Sequence, residues 1–263
     1  MIHRCLPDQD ALLSHRFVVF GIRHAGRLHP SRAEALIGHL PPCEQQRALG
    51  VRLPGKRIDF ILGRALLRRV LGVLLRTAPA SLRITGAPDR KPRLDNGAHT
   101  GGRIFFNIAH TGTCVLVALS AHGETGVDVE TVTPYTKAKD AIARELFHAD
   151  EYQWLATKEP AALPGAFCHL WTVKEACAKA RGTGLVLPLS DEPVLPGKSG
   201  RHGDLWWRVL PIGPSEKAAV AISLTSPEPA PSTGRVWMLP VDSLVPVLHI
   251  GRVRAPTPKG GAR

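Results

Sequence analysis

The segment Gly126-Val127-Asp128-Val129-Glu130 alternates valines with two carboxylates. Strand side chains alternate between faces, so this spacing puts Asp128 and Glu130 on one side and into one small volume. Two like charges at that range repel unless a cation lies between them, and hard divalent ions such as Mg²⁺ prefer carboxylate and phosphate oxygens. The pair is therefore a candidate metal site. Further along, Trp171-Thr172-Val173-Lys174-Glu175-Ala176-Cys177-Ala178-Lys179 reads as a helix whose small residues pack while Lys174, Glu175 and Lys179 reach outward. Glu175 and Lys179 stand four residues apart, over one helix face. A third carboxylate flanked by ammonium groups is the set that a metal-assisted phosphoryl transfer needs.

Both segments match in full, and in order, the G-[IV]-D-[IV]-E strand and the W-x-x-K-E-x-x-x-K helix of the Sfp-type 4'-phosphopantetheinyl transferases, and the chain resembles that family over about residues 17 to 245. Further matches support it. Glu44, Arg47, Ala48, Lys56 and Arg64 resemble E-x-x-R-A followed by a basic pair eight apart. Arg90-Lys91-Pro92 resembles a G-K-P turn, Phe105-Phe106-Asn107-Ile108-Ala109-His110-Thr111 an F-N-x-S-H-[ST] strand end, and Phe147 to Tyr152 an F-x-x-x-E-Y segment read as packing. Arg90 replaces the usual glycine and Ala109 the usual serine, so one hydroxyl contact to the coenzyme is missing or supplied otherwise.

The resemblance implies transfer of 4'-phosphopantetheine from coenzyme A to a serine of an acyl- or peptidyl-carrier protein. By resemblance, Asp128, Glu130 and Glu175 would hold Mg²⁺, with Glu175, directly or through a water, the first choice for removing the serine proton. Lys174 and Lys179 would stabilise phosphate charge, the three roles being interchangeable at this level. Arg47, Lys56, Arg64, Lys91 and His110 would contact coenzyme A, His110 at its 3'-phosphate. The implied fold is α+β: two similar α/β halves related by a pseudo-twofold axis, each with a small, mainly antiparallel sheet and packed helices, and the active site in the cleft between them. The halves would run over 1–124 and 125–247, with 248–263 a basic flexible tail, and the implied state is a monomer.

The elements that must position these residues are partly legible. Phe17-Val18-Val19-Phe20-Gly21-Ile22 reads as a strand. Ser31 and Glu34 form a capping-box pattern ahead of a helix that Pro41-Pro42 interrupts. From Lys56 to Arg76, Ile58, Ile61, Leu62, Ala65, Leu66, Val70, Val73 and Leu74 keep helical spacing. On that helix Arg57, Arg64 and Arg68 share an arc and form a basic stripe. A helix is expected over 138–155, and Gly182 is placed to end the catalytic helix. Strands are expected at 205–210 and 218–224, a Pro-rich linker at 226–232, and a further strand and turn over 236–247.

At 263 residues and 44% hydrophobic the composition is that of a soluble globular chain. No run of eighteen or more apolar residues exists, and the first residues lack a signal peptide's apolar stretch, so a cytoplasmic chain without membrane contact is expected. Five cysteines without C-x-x-C spacing read as reduced, mostly buried thiols. The net charge of +12 points to an acidic partner. It also admits an alternative class, a basic nucleic-acid-binding protein without catalysis, which lacks a recognisable binding motif and leaves three acids where a polyanion would be repelled. Another Mg²⁺-dependent nucleotide phosphotransferase would be expected to carry a G-x-x-x-x-G-K-[ST] loop, which is absent.

Overall fold

Strand β1 (Phe17–Arg23) is buried at six of its seven positions because both of its faces are covered. It lies inside a four-stranded sheet ordered β10-β1-β5-β4, formed with β4 (Phe105–Thr111), β5 (Cys114–Ser120) and β10 (Gly234–Pro240). Pairing is antiparallel except between β1 and β10, which run parallel. The computed structural model describes residues 17–24, 35–86, 91–95, 103–112, 114–183, 192–194, 197–223 and 234–240. The expected capping box at Ser31, Arg90, the linker and the basic tail lie outside them.

Helix α1 (Pro42–Gly50) begins where Pro41-Pro42 was expected only to interrupt. Proline at the first helical position lacks an N–H that would have had no partner in the helix anyway, and its fixed φ suits the entry. Helix α2 (Pro54–Leu74) also carries Pro in its first turn. Its apolar stripe of Ile61, Leu62, Leu66, Val70 and Leu74 packs on Val18, Phe20 and Ile22 of β1 and Val115, Val117 and Leu119 of β5. A two-stranded ribbon, β2 (Ile84–Thr85) with β3 (Arg93–Leu94), precedes β4.

The second sheet is ordered β6-β9-β8-β7, from β6 (Thr125–Thr131), β7 (Ser199–His202), β8 (Leu205–Leu210) and β9 (Glu216–Ser223), all antiparallel. Its inner face packs on the first sheet, with Val127, Val129, Trp206 and Val220 against Phe17, Val19, Leu116 and Ala118. The Phe17 and Trp206 rings lie 5.7 Å apart in that layer. Its outer face takes Val173, Ala176, Cys177 and Ala180 of a long helix. The result is four layers in the order helix, sheet, sheet, helix, an α+β arrangement of small, mainly antiparallel sheets. In each sheet the first strand in the chain pairs with the later member of an antiparallel pair of consecutive strands, β1 with β5 of β4-β5 and β6 with β9 of β8-β9, with β7 added outside β8 in the second sheet.

The helix expected over 138–155 is two, α3 (Lys137–Leu146) and α4 (Ala149–Ala156). Phe147 turns extended and His148 caps α4: its side chain accepts from Asp150 N–H, and Glu151 reaches back to His148 N–H at 2.8 Å. The freed Phe147 ring packs with Phe167 and Trp171. Helix α5 (Leu163–Arg181) then runs unbroken to Gly182, whose φ of 74° lies in the left-handed region that glycine enters without steric cost. Cys43, Cys114, Cys168 and Cys177 are free thiols, the last three buried. No helix among the described residues is long and apolar enough to cross a membrane.

Candidate active site

The two sheets meet along their edge strands. Asn107 of β4 accepts the Val127 N–H of β6 through its side-chain oxygen at 3.0 Å, and the Thr111 and Thr131 hydroxyls bond at 2.9 Å. An exposed strand edge is thereby stitched by side chains instead of a ladder. On its other side β6 lies against α5 so closely that a Cβ on Gly126 would stand 2.0 Å from the carbonyl oxygen of Ala176. Only glycine permits that approach. The consequence is chemical: the strand's acids are brought against Glu175 and Lys179.

Asp128 is buried to 4% exposure and accepts from Lys179 Nζ at 2.5 Å, while its second carboxylate oxygen, Oδ2, has no hydrogen-bond partner. Burial raises its proton affinity, and the Lys179 ammonium opposes that. Glu130 is pushed up by burial and then by the Asp128 charge, with a hydrogen bond from Trp171 pulling the other way. Glu175 is pushed up by burial and then by both Asp128 and Glu130, against Lys179. Three carboxylates from two elements thus feel one another. Among the described residues no group of three or more His, Cys, Asp or Glu side chains is closed into a ready metal-binding cluster.

From the other sheet, Lys56 at the start of α2 and His110 at the end of β4 face the same region. Both the Lys56 and Lys179 charges bear on the His110 ring, and Lys56 also bears on Glu130. Asp128, Glu130, Glu175, Lys179, Lys56 and His110 are therefore gathered at the seam.

The remaining expected residues are placed elsewhere. Lys174 is fully buried, 2.8 Å from an equally buried Glu151. It does not reach the cleft, because α5 turns that position toward α4. The acid of the F-x-x-x-E-Y match is this partner, and it also accepts from the N–H of Val194. The expected basic stripe on α2 is not a row of open cations. Arg68 is bidentate to Glu44 at 2.7 and 3.1 Å and donates to the carbonyls of Pro79 and Leu82. Arg57 bonds the carbonyls of Val51 and Leu49. Arg64 is buried 3.5 Å from Glu44 and above the Phe60 ring. Arg47 lies over the same ring, its side chain on the exposed surface of α1. Lys91 donates to Glu124 at 2.8 Å and to the Thr125 carbonyl at 2.7 Å, lining a cleft of about 330 Å³ with Arg93, Arg103, Glu124 and Phe106.

Two participants were not anticipated. Trp171, expected only to pack, packs and also bonds Glu130. Asp59 stands beside His110 with Nδ1 and Oδ2 3.3 Å apart. An acid at the polar edge of an otherwise apolar helical stripe was the available signal for it.

A sequence model of the 4'-phosphopantetheinyl transferase superfamily matches residues 124–202, the stretch that holds β6, α5 and all three carboxylates. The 4'-phosphopantetheinyl transferase HetI of Nostoc sp. is 28% identical over 199 residues, 74% of this chain and 82% of that protein. The 4'-phosphopantetheinyl transferase gsp of Aneurinibacillus migulanus is 32% identical over 49% of this chain, which spans about half, 51%, of the relative's length. The 4'-phosphopantetheinyl transferase ffp of Bacillus subtilis is 30% identical over 170 residues, 61% of this chain and 71% of the relative. With the paired acids of β6 set against the Lys-Glu helix, these similarities show that the chain belongs to the 4'-phosphopantetheinyl transferase superfamily.

Proposed function

We propose that the chain transfers the 4'-phosphopantetheine arm of coenzyme A to a serine hydroxyl of an acyl- or peptidyl-carrier protein, releasing adenosine 3',5'-bisphosphate. The observation that carries this reading is the convergence of Asp128, Glu130 and Glu175 at the seam, opposite the Lys56 ammonium and the His110 imidazole. The donor set suits Mg²⁺: three carboxylates whose proton affinities are raised by burial, those of Glu130 and Glu175 also by the neighbouring acids, and a buried Asp128 oxygen without a partner. Bound there, the ion would neutralise charge on the pyrophosphate and orient it for in-line attack.

Among the chain's own groups, Glu175 is the half-buried acid whose raised proton affinity suits it to take the serine proton, directly or through a water. Lys179, held by Asp128, is aimed at the same volume to meet phosphate charge. Attack by the serine oxygen forms the new P–O bond as the bond to the bisphosphate oxygen breaks. Lys56, His110 and Lys91 would receive the nucleotide end. Glu124, on the rim of the Lys91 cleft, lies four strand residues from Asp128, about 13 Å at the rise of extended chain. That span suits a ligand with a nucleotide at one end and a pyrophosphate at the other.

The shared order of β1-β5-β4 and β6-β9-β8 supports two pseudo-twofold-related halves, 1–124 and 125–247, although β10 is paired into the first sheet. A cytoplasmic monomer without membrane contact is part of the same reading. The nucleic-acid alternative finds no support among the relatives. The deciding experiment incubates the full chain with Mg²⁺, coenzyme A and an apo carrier protein. Intact mass should show a phosphopantetheine adduct that requires both Mg²⁺ and the carrier serine, and its absence would sink the reading.

A further inference from the structure

The carboxylate of Asp59 is buried in α2 at 4% exposure and faces two imidazoles. His110 Nδ1 lies 3.3 Å from one oxygen, and His24 Nε2 lies 3.7 Å from the other, beyond hydrogen-bond length. Among the described residues these are its only ion-pair partners. A buried carboxylate left without a donor is costly, and here the near donor is His110. The His110 side chain is 35% exposed. With Nδ1 turned to Asp59, Nε2 is the ring nitrogen left for the cleft. A ring carrying its single proton on Nδ1 would offer a lone pair from Nε2, which a phosphate oxygen cannot use; a phosphate needs the second proton.

We propose that Asp59 is a positioning residue for anion recognition: it accepts the Nδ1 proton of His110, turns Nε2 toward the cleft, and favours the doubly protonated ring that can donate to a phosphate. This rests on the reading of His110 as a contact to the 3'-phosphate of coenzyme A. The surroundings of the ring give Asp59 this importance. Burial disfavours the charged imidazole, and the ammonium groups of Lys56 from α2 and Lys179 from α5 disfavour it further. Asp59 from α2 is the main opposing charge, with Asp128 of β6 also within electrostatic reach. Burial keeps His24, on the far oxygen, biased toward its neutral form, so it competes weakly for the same charge.

The test is calorimetry on the full chain with coenzyme A and with dephospho-coenzyme A, in Mg²⁺, between about pH 6 and pH 8 around the ordinary imidazole range. In the wild type, preference for the 3'-phosphorylated ligand should fall as pH rises. Asp59→Asn keeps the shape and an acceptor but removes the charge. It should lower that preference roughly tenfold near neutrality, restore part of it at the acid end, and leave dephospho-coenzyme A binding unchanged. A wild-type preference in Asp59→Asn, or equal losses for both ligands, overturns the proposal. His110→Ala separates the layers. If it too weakens both ligands equally, the 3'-phosphate reading fails and takes the proposal with it; if it selects against coenzyme A while Asp59→Asn does not, only the proposal fails. Independently of any variant, nitrogen NMR of the wild type should find neutral His110 protonated on Nδ1, and the Nε2–H tautomer would also overturn the proposal.

Discussion

Neighbouring residues on α5 serve opposite ends, and substitution should separate them. Glu175 is half-buried at the seam, and Lys174 is sealed against Glu151. Glu175→Gln should reduce transfer by about two orders of magnitude or more, as loss of other groups that stabilise developing charge does, with little change in melting temperature. Asp128→Ala should do the same, because it removes a buried carboxylate whose partner Lys179 is exposed enough to be rehydrated. Either variant with near-wild-type turnover at saturating Mg²⁺ would refute the metal assignment. Lys174→Ala leaves Glu151 buried without its ammonium, so it should cost about 3–5 kcal/mol of stability, read by denaturant unfolding. The sequence separates these two positions poorly: a W-x-x-K-E match states residue types, whereas the turn of α5 against α4 decides which side chain is sealed. Arg64 gives the same lesson, since its basic neighbours hide that Glu44 reaches across from α1 to hold it.

At the scale of elements, the site depends on how closely β6 lies on α5. A methyl group at Gly126 would meet backbone atoms, the Ala176 carbonyl and the Ala180 nitrogen, which cannot swing aside as a side chain can. Gly126→Ala should therefore destabilise by about 1–3 kcal/mol or more. It should also raise the Mg²⁺ concentration needed for activity, because Asp128 and Glu130 move away from Glu175. Unfolding and Mg²⁺ titration on the same samples check it, and unchanged values in both would show that the approach is not needed. Long elements with one clear period, α2 above all, were legible from the sequence. Less so were β5, whose seven buried positions leave no alternation to read, and the break at Phe147-His148. That break depends on a histidine cap and on an aromatic cluster with Phe167 and Trp171, a tertiary preference that overrides helical periodicity.

At the scale of the molecule, the chain's end divides into a part the fold uses and a part the motifs do not. β10 pairs with β1 along all seven residues, and Trp237 stacks on Phe20 with ring centroids 5.1 Å apart. A chain ending at 223 would expose an edge of β1 that is apolar on both faces, so it should lose cooperative unfolding or aggregate. A chain ending at 247 keeps β10 and removes Arg252, Arg254, Lys259 and Arg263 with no acid, taking the formal net charge from +12 to +8. If the partner is a carrier protein acidic around its serine, long-range attraction sets part of the encounter rate. Such attraction between exposed charges is screened over about 8 Å at physiological ionic strength. Added salt should then raise the KM for carrier protein more than the KM for coenzyme A, whose proposed contacts lie in a partly enclosed cleft. The 247 truncation should leave kcat unchanged and flatten that salt dependence. A large fall in kcat would place the last residues in the catalytic machinery, and a salt response identical in both forms would remove the tail from partner attraction.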